Sequence, residues 1–540
     1  MKNRSSKLQL TLQIILLLLA VAALYGGSLT VPFVFDDLDF FESQETLTRF
    51  GHNFFNFDLR WFSYATLGWT VRNFGLDLFW LRLGNVLLHA ANAVTLLFLL
   101  RRLFQVTLAK VNNAGVDEAS LAESTLSWFA FFAALLFVLH PVAVYGVSYL
   151  IQRSILMATW FVLLMLLFYL EGILRGGWRW MLAAAMCYFV AVYSKEHSIM
   201  APGVALAMTF LLRKPSIALF KQVALYYVLA TGIAIMMLLS ARGVLGQLYE
   251  PSALGMLDQM GLADLPFVHG LSILTQSGLF FKYIGLWLLP VPTWMSVDMR
   301  EPFAMSLLSW PHTLGLVGFL VYAGVALGLL FKRGRLGLVG FAMLFPWILF
   351  LTEWSVIRIQ EPFVLYRSYL WMPGFLALLP VVFGSLAPKK VFVLLSALCL
   401  ALIPLTLNRL HTFDSPFLLW DDAARLVQGK TGAYGVRRIY YNRGTELGKL
   451  KRYDEAIADF NKAIAENPYF GQQFSNRAAT YYYMGKYPEA LRDYNRAIAV
   501  QPDNPKSYYG RALTYRALSD FELAQQDFQK SCELGLCSNN

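Results

Sequence analysis

The chain is divided into apolar blocks of roughly 20 residues, the length an α-helix needs to cross a hydrocarbon core about 30 Å thick. With 57% of its 540 residues hydrophobic and a mean hydropathy of +0.50, it is too apolar for a soluble fold. In hydrocarbon each backbone N–H and C=O must find its partner within its own segment, so such blocks dictate helices. The expected class is an all-α, polytopic membrane protein. Blocks of spanning length fall near 8–29, 78–104, 126–146, 154–174, 178–194, 198–212, 219–240, 312–331, 336–354, 366–386 and 391–408, about eleven in all. The first, Leu8 to Leu29, is too long for a signal-peptide core and lacks a small-x-small cleavage site, so it is expected to stay as the first span. The segment "GLFFKYIGLWLLP" is short and ends in Pro, which points to an interfacial or re-entrant piece.

Basic residues alternate between loops. Lys2, Arg4 and Lys7 precede the first span; Arg101, Arg102 and Lys110 follow the second; Arg175 and Arg179 follow the fourth. Arg213 and Lys214, then Lys332, Arg333 and Arg335, then Lys389 and Lys390 keep the same alternation. These loops are expected in the cytoplasm together with the N-terminus, and everything after residue 408 outside it. The net charge of +11 thus reports topology, and a nucleic-acid partner is not implied. Cys187 and Cys399 fall inside spans, as inert small hydrophobes do.

After residue 408 the composition turns soluble, charged and Tyr-rich, with 409–435 expected as a linker helix and 436–540 as a separate domain. A 34-residue period runs through Ala456, Ala490 and Ala524, through Phe460, Tyr494 and Phe528, and through Pro468 and Pro502. Small residues at Gly444, Ala478 and Ala512 let two amphipathic helices per unit approach closely. This resembles the tetratricopeptide (TPR) repeat, in about three units. At the chain's end Cys532 and Cys537 flank Gly535, a helix C-cap residue. They form a disulfide candidate if the tail is extracytoplasmic, and two unrelated thiols otherwise.

The expected outer face gathers charges of both signs. Asp36, Asp37, Asp39 and Glu42 follow the first span in "FVFDDLDFFES"; Arg60, His89, His140, Arg153, Lys195, Glu196, His197, Glu361 and Arg367 come from other loops and span ends. Charges at membrane level are costly unless paired, wet or functional. Glycosylating a hydroxyl from a lipid-phosphate sugar uses both signs: a carboxylate takes the acceptor's proton, and cations or a metal hold the departing phosphate.

The same stretches carry a resemblance. "FVFDD" after a first span is similar to the acidic first-loop motif of GT-C glycosyltransferases, closest to the multi-span O-mannosyltransferases with lumenal TPR repeats. "LRWFSYATLGWTVRNFGLDLFWLRLGNVLLHAANAV", "LLFVLHPVAVYGVSYLIQRSILMATWFVLL", "YSKEHSIMAPGVAL" and "LYRSYLWMPGFLAL" resemble later family segments in order. TPR-tailed bacterial pilin glycosyltransferases share the general plan; residues 206–408 follow the pattern only in patches. The resemblance implies an inverting O-glycosyltransferase that transfers sugar from a polyprenyl-phosphate donor to Ser or Thr of an extracytoplasmic protein, a type IV pilin among the candidates, docked by the repeats. Asp36 or Asp37 would be base or metal ligand, and Arg60, Arg153, Lys195 and Arg367 would hold the phosphate. Asp39, Glu196, His89, His140 and Glu361 would support them. Metal dependence stays open, with Mg²⁺ or Mn²⁺ the candidates at Asp36 or Asp37. The basic N-terminal anchor and short loops fit a bacterial inner membrane.

Plainer readings stand beside these. Asp36 or Asp37 can cap the following helix; Arg153 and Lys195 can snorkel; Glu196 suits pairing with a nearby base; His89 and His140 suit interior packing. Other functions also remain open: transfer to a lipid or glycan, a transporter or flippase, and an assembly scaffold.

Overall fold

The computed structural model describes residues 2–42, 49–50, 58–108, 123–243, 245–248, 250, 253–262, 267–430 and 434–537, and contains no strand among them. It divides into two units. One comprises Met1–Met295 and Phe303–Asp414; the other comprises Ser296–Pro302 and Ser415–Asn540.

In the larger unit seven described helices are long and apolar enough to cross a membrane, and eight if one bent pair counts as a single span. They are Ser6–Ser28, Leu78–Leu108, Leu150–Arg175, Ile217–Ser240, His312–Leu330, Gly334–Ser355 and Pro388–His411. The bent pair, Glu123–Leu139 and Pro141–Val147, turns by 63° at His140. Pro141 supplies no N–H and pushes His140 out of the helical region, so one expected span becomes two pieces. The sequence expectation of one span over 366–386 also gives way. Short helical turns at Leu365–Tyr369, Met372–Phe375, Leu376–Leu378 and Leu379–Phe383 replace it, with Pro373 and Pro380 at their starts. The stretch expected to be a short interfacial piece is instead part of a continuous 21-residue helix, Val268–Leu288. Buried Ser272, Thr275, Gln276 and Ser277 lower its apolar signal, yet they pack inside the unit. Gln276, for example, donates to Pro362 O at 2.8 Å.

Close backbone approach joins these helices. A Cβ on Gly340 would meet Ala326 O at 2.4 Å, so only glycine lets Gly334–Phe350 lie against His312–Leu330. Cys187 and Cys399 are buried and unpaired, as expected.

The smaller unit is built from three helix pairs: Arg437–Lys449 with Tyr453–Glu466, Gly471–Tyr483 with Tyr487–Val500, and Pro505–Ala517 with Phe521–Glu533. The helix Pro416–Val427 precedes them, with the Ser415 hydroxyl accepting from Leu418 N at 3.2 Å. Gly444, Ala478 and Ala512 are buried at equivalent helix crossings. Lys451, Gly485 and Ser519 take left-handed backbone angles of +61°, +73° and +64° at the turn inside each pair. Arg443, Arg477 and Arg511 each grip the aspartate sixteen positions on with two nitrogens. The segment Ser296–Pro302 belongs to this unit, where Asp298 is held by Arg300 at 2.7 Å and by Arg438 at 2.9 Å.

Candidate functional site

The acidic stretch after the first helix turns sharply because Phe35 adopts φ +57°. The turn separates the two neighbouring aspartates. Asp37 is buried, and its carboxylate accepts from Ile151 N at 3.0 Å and Leu150 N at 3.3 Å. Burial pushes its carboxyl up to about 7, against the opposing pull of those N–H groups and the Arg82 charge. Arg82 in turn donates to Val31 O, Pro32 O and Ser148 O, at 2.8, 2.6 and 2.8 Å. Asp36 is exposed and accepts the Tyr149 hydroxyl at 2.7 Å. Asp37 is thus committed to holding the turn, while Asp36 presents its carboxylate at the surface. Asp39 is exposed on the short helix Asp37–Glu42; the side chain of Glu42 lies outside the described residues.

A second group of charges forms where the helix Trp178–Ser194 ends and the chain extends at Lys195. Arg60 holds Glu196 through two nitrogens, Nε to Oε2 at 2.9 Å and Nη2 to Oε1. Although burial works against it, the Arg60 and Lys195 charges keep the Glu196 carboxyl well below the usual range. His197 stands 3.5 Å from Glu196 and 3.0 Å from Glu353. Glu353 reaches Arg358 at 3.2 Å and Arg367 at 3.0 Å, and Arg367 lies 3.9 Å from Glu361. Lys195 is buried under the Tyr366 ring at 5.6 Å, and among the described residues no carboxylate lies within ion-pair range of it. Burial, and then the neighbouring Arg60 charge, pushes its amine down to about 7. The Tyr366 ring also lies 5.9 Å from that of Tyr149, linking the acid side of the site to the cation side.

Arg60, Glu196, His197 and Arg358 form one end of a cavity of about 630 Å³. The rest of the wall is mostly apolar, including Met200, Ala234, Met237, Leu238 and Leu351, with Tyr64, Thr352 and Ser355 its polar members. A charged end on an apolar cavity suits an anionic amphiphile.

Three expected site residues do not join this group. Arg153 is buried, with its guanidinium donating to Asn85 Oδ1 at 2.9 Å, Leu81 O at 2.6 Å and Thr70 Oγ1 at 3.3 Å. It ties three segments of the fold together and offers no donor to the cavity, which corrects its expected phosphate role. His89 bonds the Tyr369 hydroxyl at 2.6 Å. His140 caps Pro141–Val147 by accepting from Val142 N at 3.2 Å, and bonds Trp287 O at 3.0 Å. Both histidines have the interior roles of the plainer reading.

Glu353 and Arg358, which organise the cluster, were not singled out from the sequence. The available signal was Glu353 itself, a carboxylate at the end of an apolar run. Among the described residues no group of three or more His, Cys, Asp or Glu is placed to hold a metal ion. Asp36 could contribute one carboxylate to a Mg²⁺ or Mn²⁺ ion held chiefly by waters and substrate phosphate. Asp37, engaged with two N–H groups, does not fit that role.

Residues 438–470 and 505–534 match family models described as tetratricopeptide repeat, and residues 478–519 match one described as TPR repeat. The C-terminal unit carries three TPR repeats. No curated protein matches the chain. Among solved structures, the first TPR of Spaghetti (RPAP3) bound to an HSP90 peptide is 31% identical, over 19% of this chain and 81% of that one, with a TM-score of 0.18. The second TPR of the same protein is 27% identical, over 18% and 93%, also at 0.18. MamA is 20% identical, over 23% and 72%, with a TM-score of 0.21.

Proposed function

We propose that the protein is an inner-membrane O-glycosyltransferase of GT-C type that takes its sugar from a polyprenyl-phosphate carrier. The observation carrying this reading is the largely apolar cavity lined also by the Arg60–Glu196 pair, His197 and the Glu353-paired Arg358, with buried Lys195 near them and the Asp36 carboxylate linked to Lys195 through Tyr366 and Tyr149. The carrier phosphate lies against Arg358 and Lys195, and its tail lies in the apolar part. Asp36 accepts the proton of a Ser or Thr hydroxyl as that oxygen attacks the anomeric carbon. The bond to the phosphate oxygen breaks with inversion, and the phosphate leaves with the electron pair, its charge offset by the cations. The TPR repeats dock the protein acceptor, a pilin among the candidates, on the extracytoplasmic side.

The test uses purified full-length protein in lipid nanodiscs, a radiolabelled polyprenyl-phosphate sugar and an acceptor protein. Asp36→Asn should lower transfer by about 10²–10⁴-fold with the fold intact. Undiminished transfer by a folded Asp36→Asn variant would overturn the assignment of the base. Transfer to lipid in place of protein would move the acceptor to the second class.

A further inference from the structure

Resting on that reading of Asp36 as the base, we infer that Tyr149 is a positioning residue for it: the buried phenol fixes the direction of the Asp36 carboxylate and tunes its basicity. The two neighbouring aspartates grip one stretch of chain. Asp36 Oδ2 accepts the Tyr149 hydroxyl at 2.7 Å, and Asp37 accepts from the next two residues, Leu150 N at 3.3 Å and Ile151 N at 3.0 Å. Arg82 donates to the preceding residue, at Ser148 O, and to Val31 O and Pro32 O just ahead of the aspartates. The acidic turn is thus tied to every residue from Ser148 to Ile151. Asp37 and Arg82 make their ties as buried groups, whereas Asp36 is exposed.

Holding the fold together does not by itself account for the bond to Tyr149. Asp37 and Arg82 already secure the turn, and water would solvate an exposed carboxylate about as well as a phenol does. What Tyr149 adds is a fixed direction. It is 1% exposed, and its ring meets Phe35 and Tyr366 edge to face, with centroids 5.4 and 5.9 Å away. A hydroxyl on a locked ring holds the carboxylate in one orientation, the condition for accepting a proton from a bound substrate hydroxyl. Burial, and then the Asp36 and Asp37 charges, push the phenol well above its ordinary range, so it stays protonated and acts as a donor. A charge-assisted bond of this kind favours the ionised carboxylate. Asp36 is thereby kept ready to accept a proton at lower pH than it would be without Tyr149.

The test measures transfer by the full-length protein in nanodiscs, from a radiolabelled polyprenyl-phosphate sugar to an acceptor protein, across a range of pH. Tyr149→Phe keeps the ring and removes the hydroxyl. It should lower kcat about tenfold, leave the KM for the donor within about twofold, and move the acid limb of the rate profile to higher pH. In an Asp36→Asn background the same change should have no further effect, because no base is left to orient. Asp36→Glu keeps a carboxylate but displaces it from a fixed hydroxyl by one methylene, and should also lose about tenfold in kcat. An unmoved acid limb in folded Tyr149→Phe, or an equal loss with and without Asp36, overturns the inference and leaves Tyr149 a tie in the fold. Full activity of Asp36→Glu overturns it as well, whether or not Tyr149→Phe folds. Those outcomes leave the glycosyltransferase reading standing. No transfer by the unmodified protein, or undiminished transfer by Asp36→Asn, overturns the reading on which the inference rests.

Discussion

Arg60 and Glu196 lie 136 residues apart in the chain and meet in a two-pronged ion pair, with Nε donating to Oε2 at 2.9 Å. The pair occupies the guanidinium that sequence analysis assigned to the donor phosphate, and places it in the cavity wall already neutralised. Glu196→Ala should therefore have two opposite effects. Thermal stability should fall by the equivalent of about 1–2 kcal/mol, because one partner of a charge-assisted hydrogen bond is lost at a site about a third exposed. Affinity for undecaprenyl phosphate should rise severalfold, because Arg60 is released towards the ligand. Lower stability with unchanged affinity would make Arg60 a purely structural residue.

The neighbouring acids should separate by pH. The Asp37 carboxyl is raised in the fold to about 7 from the ordinary aspartate value, so the folded state favours its protonated form. Its favourable contribution is complete at low pH and is lost as pH rises towards 7. Asp37→Asn removes that dependence, and its stability curve should be flatter than that of the unmodified protein between about pH 4 and 7. Asp36→Asn should keep the original curve and lose transfer. Identical pH profiles for all three proteins would mean that the buried carboxylate does not titrate with the fold.

Lys195 gives the matching prediction for the ligand. Its amine is lowered to about 7, so the empty site favours the neutral form and loses stability as pH falls from the ordinary lysine range towards 7. A bound phosphate favours the charged form. Undecaprenyl phosphate affinity should therefore be highest below about pH 7 and decline above it. Lys195→Arg, charged throughout, should abolish the decline, and Lys195→Ala should hold affinity at the lower level across the range. A decline that persists in both variants would assign the titration elsewhere.

How much of this was legible in the sequence depends on the kind of signal each residue leaves. Strict periodicity is readable without structure: Ala456, Ala490 and Ala524 fixed the repeat phase, and the helix pairs follow it. Composition also located most long helices, but it misjudged Val268–Leu288, whose buried serines, threonine and glutamine look like a loop. Breaks at Pro141, Pro373 and Pro380 were visible as prolines, yet hydropathy alone ran spans through them. At the site, adjacency in sequence misled. Asp36 and Asp37 are neighbours with different environments because Phe35 is left-handed, and no composition measure reports that. Arg153 and Arg358 are both arginines near span ends; only their partners distinguish a fold tie from a cavity wall.

The repeat unit offers a stability prediction free of any functional reading. Arg477 donates Nε and Nη2 to Asp493 at 2.7 Å each, and Nη1 to Asn461 at 2.5 Å. Lysine cannot reproduce that fork, so Arg477→Lys should cost about 1–2 kcal/mol. Arg511→Lys, in the third repeat, should cost less, because among the described residues that unit packs against one neighbouring repeat rather than two. Urea unfolding followed by protease susceptibility of the C-terminal unit in the full-length protein measures both. Equal costs would mean that the repeats unfold as one block.

The end of the chain provides the test of topology. The last helix stops at Glu533, Gly535 takes φ +99°, and Leu536 N returns to Ser531 O at 2.9 Å. This turn brings Cys532 and Cys537 into a disulfide with their Cα atoms 4.1 Å apart. The bond closes a loop so short that its stabilisation should not exceed about 2–3 kcal/mol. Its effect should be local: it pins the final turn of the helix Phe521–Glu533. Replacing both cysteines with serine should speed proteolysis at the last helix and leave the first two repeats unchanged. The bond persists only in an oxidising compartment, so it also reports which side of the membrane the repeats occupy. In protein taken from its native membrane without reduction, both sulfurs should resist alkylation. Quantitative alkylation of Cys532 and Cys537 would place the repeats in the cytoplasm, and with them would fall the proposal that they dock an extracytoplasmic acceptor.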